Sequence, residues 1–158
     1  MIERLFNRYT YLLLLMIFLH IITISVNGIL SYFDFLIILF ILTMDSADEE
    51  NYIWMALLFG FFSDFIRDGF YGPGVALFMF FYITRFRTEV IMDMSKMHYK
   101  MLLYGGMSYT YCFYNLILTK YPLSSALYIS TVRTIVNLLI VFAILTFFKG
   151  FKRAVKNS

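Results

Sequence analysis

Asp64 is the side chain best placed to do chemistry in this sequence, because it ends nearly two helical turns of uncharged residues. Arg67 and Asp68 follow closely, so three ionisable groups lie at one end of an apolar segment. A carboxylate at membrane depth is costly unless it has a partner or a function. Metal-assisted phosphoryl transfer would need further aspartates about one helix away, and the next aspartate after Asp68 is Asp93, in a different connector. The cluster therefore indicates a structural or binding role.

Other candidates for catalysis or metal binding are few. Glu49 and Glu50 form a pair known from one class of membrane proteases, but no arginine follows three residues later and no intramembrane histidine follows. Cys112, His20 and His98 are the only cysteine and histidines, too few ligands for a thiolate or imidazole metal centre. No Ser-His or Ser-Lys dyad occurs at membrane depth. We expect a protein that is not an enzyme and uses no cofactor or metal.

The composition indicates an integral membrane protein. Of the 158 residues 61% are apolar and 21% aromatic, and the mean hydropathy is +0.78, whereas soluble domains average roughly 45–50% apolar residues. A net charge of +3 requires no nucleic acid as a partner. The connectors are short and leave no room for a separate soluble domain. We therefore expect the protein to act in or at the lipid bilayer.

Six apolar runs predict a single polytopic domain over residues 1–158, an all-α bundle of about six short transmembrane helices. The amino terminus is basic and then apolar but has no small-residue cleavage site, so we expect an uncleaved first span. Because the second, third and fourth runs are short, a four-span arrangement in which the second and fourth do not cross stays open. The runs cover about 9–26, 30–44, 52–66, 73–84, 101–118 and 127–148.

The positive charges predict that both termini are cytoplasmic. The cytoplasmic segments then hold ten of the 13 Lys and Arg residues, only Arg67 and Lys120 lie outside, and Arg133 lies in the membrane. The four-span arrangement satisfies this rule equally well, while aromatic residues near the run ends favour six. We expect the acidic connector from Asp45 to Glu50 to be a solvated loop, with docking to a basic partner as the alternative. The basic tail is expected to anchor on the anionic inner leaflet.

Asp64 and Arg133 are predicted to form an ion pair between the third and sixth spans, because both lie near the outer ends of those spans. The alternatives are a ligand or partner site that uses the same charges, and separate snorkelling of each side chain to the interface. Asn137 lies one helical turn from Arg133, and Asn115 lies within the fifth span. We expect both amides to make interhelical hydrogen bonds worth about 1 kcal/mol each.

The segment from Asp68 to Gly74 predicts a tight turn between the third and fourth helices. Gly69, Gly72 and Gly74 can adopt positive φ, and Pro73 has φ preset for the first turn of a helix. The sequence therefore predicts a helical hairpin with its ionisable groups gathered at one end.

A glycine, an aspartate four residues later and a glycine-rich turn before the next apolar helix form a pattern that resembles the MreD family of bacterial rod shape-determining proteins. The residues at those positions are Gly60, Asp64, Gly69, Gly72 and Gly74. The resemblance implies a non-enzymatic scaffold of the cell inner membrane, with a fold similar to the substrate-binding subunits of energy-coupling-factor transporters. It also implies association with the bitopic protein MreC, and through it with the MreB filament and the glycosyltransferase and transpeptidase that build lateral peptidoglycan.

The alternative function is that of a substrate-binding subunit of an energy-coupling-factor transporter for a vitamin or metal. Such subunits are similar in size and span count, and they dock through an Ala-x-x-x-Ala-like face on the first helix, where small residues permit close approach. Residues 12–24 read LLLLMIFLHIITI, without Ala or Gly, which disfavours this alternative. The candidate structural and partner-binding residues are Gly60, Asp64, Arg67, Asp68, Gly69, Gly72, Pro73, Gly74, Asn115, Arg133 and Asn137.

Overall fold

The computed structural model describes residues 34–46, 52–66 and 72–156, together with six single positions between residues 11 and 22. Within this part of the chain all regular structure is helical, as the sequence predicts. The helices are α1 (Phe35–Ser46), α2 (Tyr52–Ile66), α3 (Pro73–Ile91), α4 (Met97–Leu118) and α5 (Leu123–Lys156).

Four of the five helices differ in their bounds from the apolar runs. The run 52–66 coincides with α2, whereas α3, α4 and α5 extend beyond the runs at 73–84, 101–118 and 127–148, and α1 begins and ends later than 30–44. Helix α3 continues past Thr84 because charged residues are good helix formers and Arg85 pairs with Glu89 one turn later. Apolar runs thus locate the helices, but they underestimate the lengths of α3, α4 and α5 and overestimate that of α1.

Helix α5 contains the one segment in the described part of the chain that is both long and apolar enough to cross a membrane, the 25 residues Leu123–Phe147. Phe35–Asp45 and Tyr52–Ile66 are apolar but shorter.

Helix α1 lies at the centre of the packing. The pairs α2–α3 and α4–α5 pack most extensively, and α1 contacts α2, α4 and α5. The ring of Phe40 lies edge-on to Phe78 and Phe59, at centroid distances of 4.8 and 5.4 Å. Such pairs contribute about 0.5–1.5 kcal/mol beyond the area they bury. These aromatic contacts hold α1 against the α2–α3 hairpin.

Candidate functional site: a capped hairpin and two buried polar clusters

Asp64 caps the helix that follows it. Its carboxylate accepts backbone N–H groups from Gly72 (2.9 Å), Gly74 (2.6 Å) and Val75 (3.1 Å), at the first turn of α3. Asp64 is only 1% exposed. The first amides of a helix lack intrahelical acceptors, and the helix dipole favours negative charge at that end. The buried carboxylate is therefore stabilised by the N-terminus of α3.

Two glycines allow α2 and α3 to approach closely enough for this cap. A Cβ at Gly60 would lie 2.5 Å from the Cα of Val75, and a Cβ at Gly74 would overlap the Asp64 carboxylate. Gly72 has φ +136°, a backbone conformation that favours glycine, and Pro73 begins α3. The predicted pairing of α2 with α3 is present, whereas residues 67–71 of the predicted turn lie outside the described residues.

The predicted ion pair between Asp64 and Arg133 is wrong. Arg133 Nη1 lies 4.0 Å from Asp34 Oδ2, whereas Asp64 is bound by the backbone of α3. The cause is the position of α1, which packs against both α2 and α5 and presents Asp34 to Arg133. Arg67, Asp68 and Gly69 lie outside the described residues.

Asp34 belongs to a polar cluster that joins α1, α4 and α5, here called the Asp34 cluster (Asp34, Ser108, Cys112, Arg133 and Asn137). The thiol of Cys112 donates to Asp34 Oδ2 at 3.0 Å, and the Asp34 N–H donates to Asn137 Oδ1 at 3.2 Å. Asn137 Nδ2 donates to Ser108 Oγ at 3.1 Å. Asn137 thus makes the interhelical hydrogen bonds expected of it, with both ends of its amide.

Asn115 differs from the expectation. Its Oδ1 is buried without a hydrogen-bond partner among the described residues, as is the hydroxyl of Thr134. The interhelical hydrogen bond predicted for Asn115 is therefore not made through this oxygen.

A second group of charges, the Asp45 cluster (Asp45, Arg85, Glu89, Lys100 and Tyr104), joins α1, α3 and α4. Lys100 forms an ion pair with Asp45, and the Tyr104 hydroxyl donates to the same carboxylate oxygen at 2.6 Å. Arg85 Nη1 donates to the Tyr104 oxygen at 2.9 Å, and Arg85 Nη2 forms an ion pair with Glu89. Arg85 is only 4% exposed, so its charge is packed between helices and not exposed to solvent.

The solvated loop expected from Asp45 to Glu50 is wrong for Asp45, which is the penultimate residue of α1 and one residue beyond the predicted span 30–44. Burial of Asp45 opposes ionisation, but hydrogen bonds from Lys100 and Tyr104 outweigh it and hold the pKa of its carboxyl below the ordinary value of 3.8. Residues 47–50 lie outside the described part of the chain.

One stripe of α4 connects the two clusters. Lys100, Tyr104, Ser108 and Cys112 recur every four residues and so share a helix face. Asp34 and Asp45 are 11 residues apart, about three turns, and meet the two ends of this stripe. These residues were not predicted as a site from the sequence, although their four-residue spacing indicates a shared polar face on α4.

The arrangement positions helices and satisfies buried charges. In the part of the chain that the structure describes, no three His, Cys, Asp or Glu side chains come together as metal ligands. The sequence matches no protein-family model and no curated protein, and the fold matches no solved structure.

Proposed function

We propose that this chain is a non-enzymatic scaffold of the bacterial cell inner membrane, of the MreD type. It crosses the bilayer several times, six in our preferred arrangement, with both termini in the cytoplasm. It binds MreC, and through MreC it is coupled to MreB and to the glycosyltransferase and transpeptidase of cell-wall elongation. Its contribution is to hold these proteins together in the membrane so that lateral wall synthesis maintains cell shape.

The observation that carries this proposal is the use of the motif residues in the hairpin. Four of the five residues that carry the resemblance to MreD, Gly60, Asp64, Gly72 and Gly74, join α2 to α3 through close backbone approach and helix capping. A motif used in this way fixes a helix surface rather than binding a substrate. That role is the one a scaffold requires.

The distribution of apolar side chains supports a membrane location. Phe65, Leu102, Leu139 and Phe147 are each more than half exposed, and they lie on three different helices, α2, α4 and α5. Soluble monomers rarely expose contiguous apolar surface of more than a few hundred Å². Within Leu123–Phe147 only 22% of the apolar 18-residue window is buried in the bundle, which leaves a wide face for lipid.

The test is affinity purification of the tagged chain from native membranes in mild detergent, with the co-purifying proteins identified by mass spectrometry. A matched variant, Gly60→Leu, keeps the hydrophobic character of α2 but separates α2 from α3, since a Cβ there meets backbone atoms. The control Leu139→Phe alters an exposed apolar position of α5 and introduces no overlap between backbones.

We expect MreC and the wall synthases with the wild type and with Leu139→Phe, and much less of them with Gly60→Leu at equal amounts in the membrane. Recovery of paired ATPases with a shared transmembrane subunit would contradict the proposal and favour the transporter alternative. A tightly held small molecule in the purified chain would do the same.

A further inference from the structure

A groove lies between the C-terminal half of α3 and the N-terminal half of α4. It has a volume of about 300 Å³, and residues every four positions along α3 form one of its walls. Although α3 and α4 are joined by a short connector, they pack together less extensively than α2–α3 or α4–α5. Side chains that line it include Thr84, Thr88, Met92, Leu102, Gly106 and Thr110.

The threonines of this groove require no polar ligand. The hydroxyls of Thr84, Thr88 and Thr110 donate to the carbonyls of Phe80, Thr84 and Gly106, at 2.8, 2.6 and 2.8 Å. Each hydroxyl is thereby satisfied within its own helix. The remaining lining side chains are mainly aliphatic or aromatic. An occupant of the groove is therefore apolar.

The dimensions of the groove suit an alkyl chain. Its α3 wall runs from Phe80 to Met92, about 18 Å at 1.5 Å per residue. Its volume of about 300 Å³ is at the lower end of the range for small-molecule pockets, roughly 300–1,000 Å³. A linear acyl chain can lie along this wall, whereas a whole transmembrane helix, about 10 Å across and about 30 Å long, is larger than the groove.

Positive charge lies at the Met92 end of the groove. Arg87 precedes the groove residue Thr88 and is exposed, and Lys96 precedes α4 and is also exposed. Two acids lie nearby in the chain: Glu89 forms an ion pair with Arg85, and Asp93 accepts hydrogen bonds from Ser95 and lies 4.0 Å from Lys96. Lys96 makes no side-chain cap for α4, so amides of the first turn of that helix add to the positive potential. This end suits a phosphate.

We infer that the groove between α3 and α4 binds one acyl chain of an anionic phospholipid, with the phosphate at Arg87 and Lys96. The inference rests on the membrane location proposed above but not on any protein partner.

Gly106 offers a way to fill the groove, because a Cβ there meets no atom within 4 Å. The experiment is native mass spectrometry of the detergent-purified chain, titrated separately with palmitoyl-oleoyl phosphatidylglycerol and with the phosphatidylcholine of the same chains. The variants are Gly106→Phe, the double variant Arg87→Ala with Lys96→Ala, and Leu139→Phe as a control on α5. Thermal unfolding of each variant shows whether it remains folded.

We expect one phosphatidylglycerol to bind the wild type and Leu139→Phe at least tenfold more tightly than phosphatidylcholine. Gly106→Phe should lose the bound lipid, and the double variant should bind phosphatidylglycerol more weakly by about fivefold per cation removed. Equal binding of the two lipids to the wild type would overturn the inference. A folded Gly106→Phe that binds phosphatidylglycerol as the wild type does would also overturn the inference. If that variant binds lipid normally but no longer recovers MreC, the groove is a partner site instead. A negative lipid result with MreC still recovered leaves the scaffold proposal intact.

Discussion

The carboxylate of Asp64 accepts the backbone N–H of Gly74 at 2.6 Å, so the end of α2 caps the beginning of α3. Residue 74 must be glycine, because a Cβ there would overlap the Asp64 carboxylate. Asp64 and Gly74 therefore depend on each other. The hairpin they define is a local unit, formed by residues ten positions apart, against which α1 packs.

Replacement of Asp64 should destabilise the protein in proportion to the acceptors lost. Asp64→Ala leaves three amides of α3 without their acceptor, and we expect a loss of about 3 kcal/mol in the free energy of unfolding. Asp64→Asn keeps one oxygen acceptor and should lose only about 1 kcal/mol. Chemical denaturation of the purified protein in a single detergent measures both values.

Arg133 provides the matched control for this cap. Because Arg133 lies near Asp34 and not near Asp64, Asp64→Ala and Arg133→Gln should add within about 0.5 kcal/mol in a double-mutant cycle. A coupling energy of well over about 1 kcal/mol would indicate an ion pair between Asp64 and Arg133 and contradict the structure.

Gly60→Ala should destabilise the hairpin although alanine favours helices. The added Cβ would lie 2.5 Å from Val75 Cα and 3.0 Å from Val75 N, and backbone atoms cannot move aside as a flexible side chain can. Overpacking of this kind costs about 1–3 kcal/mol. Gly106→Ala is the control, because its Cβ meets open space and helix propensity alone should stabilise it by up to about 1 kcal/mol. Equal effects of the two substitutions would show that α2 and α3 do not touch at Gly60.

The contribution of Asp45 should depend on pH in acid. Its folded pKa is held below 3.8 because the hydrogen bonds from Lys100 and Tyr104 outweigh the opposing effect of burial. A lowered pKa stabilises the fold above the unfolded pKa, and this stabilisation is lost as the pH falls through the folded value. The stability difference between the wild type and Asp45→Asn should be constant near neutral pH and shrink below 3.8. A difference that grows on acidification would contradict the proposed hydrogen bonds.

The Asp34 cluster should depend most on Asn137. Asn137→Ala removes hydrogen bonds to Asp34 and Ser108 and should cost about 2 kcal/mol, whereas Ser108→Ala removes one and should cost about 0.6 kcal/mol. Cys112 is the only cysteine and is buried, so its alkylation by a membrane-permeable maleimide reports opening of the cluster. We expect faster alkylation in Asn137→Ala than in Ser108→Ala. Identical rates would mean that Asn137 does not hold the cluster closed.

The sequence predicts the hairpin because its determinants are local. Gly72, Pro73 and Gly74 are consecutive, and glycine and proline have backbone preferences that do not depend on distant helices. The capping role of Asp64 was not predicted, although Asp64 lies only ten residues before Gly74. The all-helical class follows similarly from the apolar runs. Residue type and spacing are sufficient where the partners are neighbours in the chain.

The buried charges could not be assigned in the same way. Asp34 and Cys112 are 78 residues apart, and Asp45 and Tyr104 are 59 apart. The pairing of these charges depends on which helices pack against each other. Arg133 therefore lies near Asp34, whereas similar depth in the membrane had predicted a pair with Asp64. The four-residue spacing of Lys100, Tyr104, Ser108 and Cys112 indicates a polar face. It does not identify the helix that covers it.

The proposed scaffold function requires that the chain bind MreC. Binding is measured as the mass of the detergent-solubilised complex formed when the purified chain is mixed with MreC from the same source, determined by size-exclusion chromatography with light scattering. We expect a stable complex with the wild type and with Leu139→Phe, and loss of it with Gly60→Leu. Separate elution of the folded wild-type chain and MreC at micromolar concentrations would contradict the proposed function.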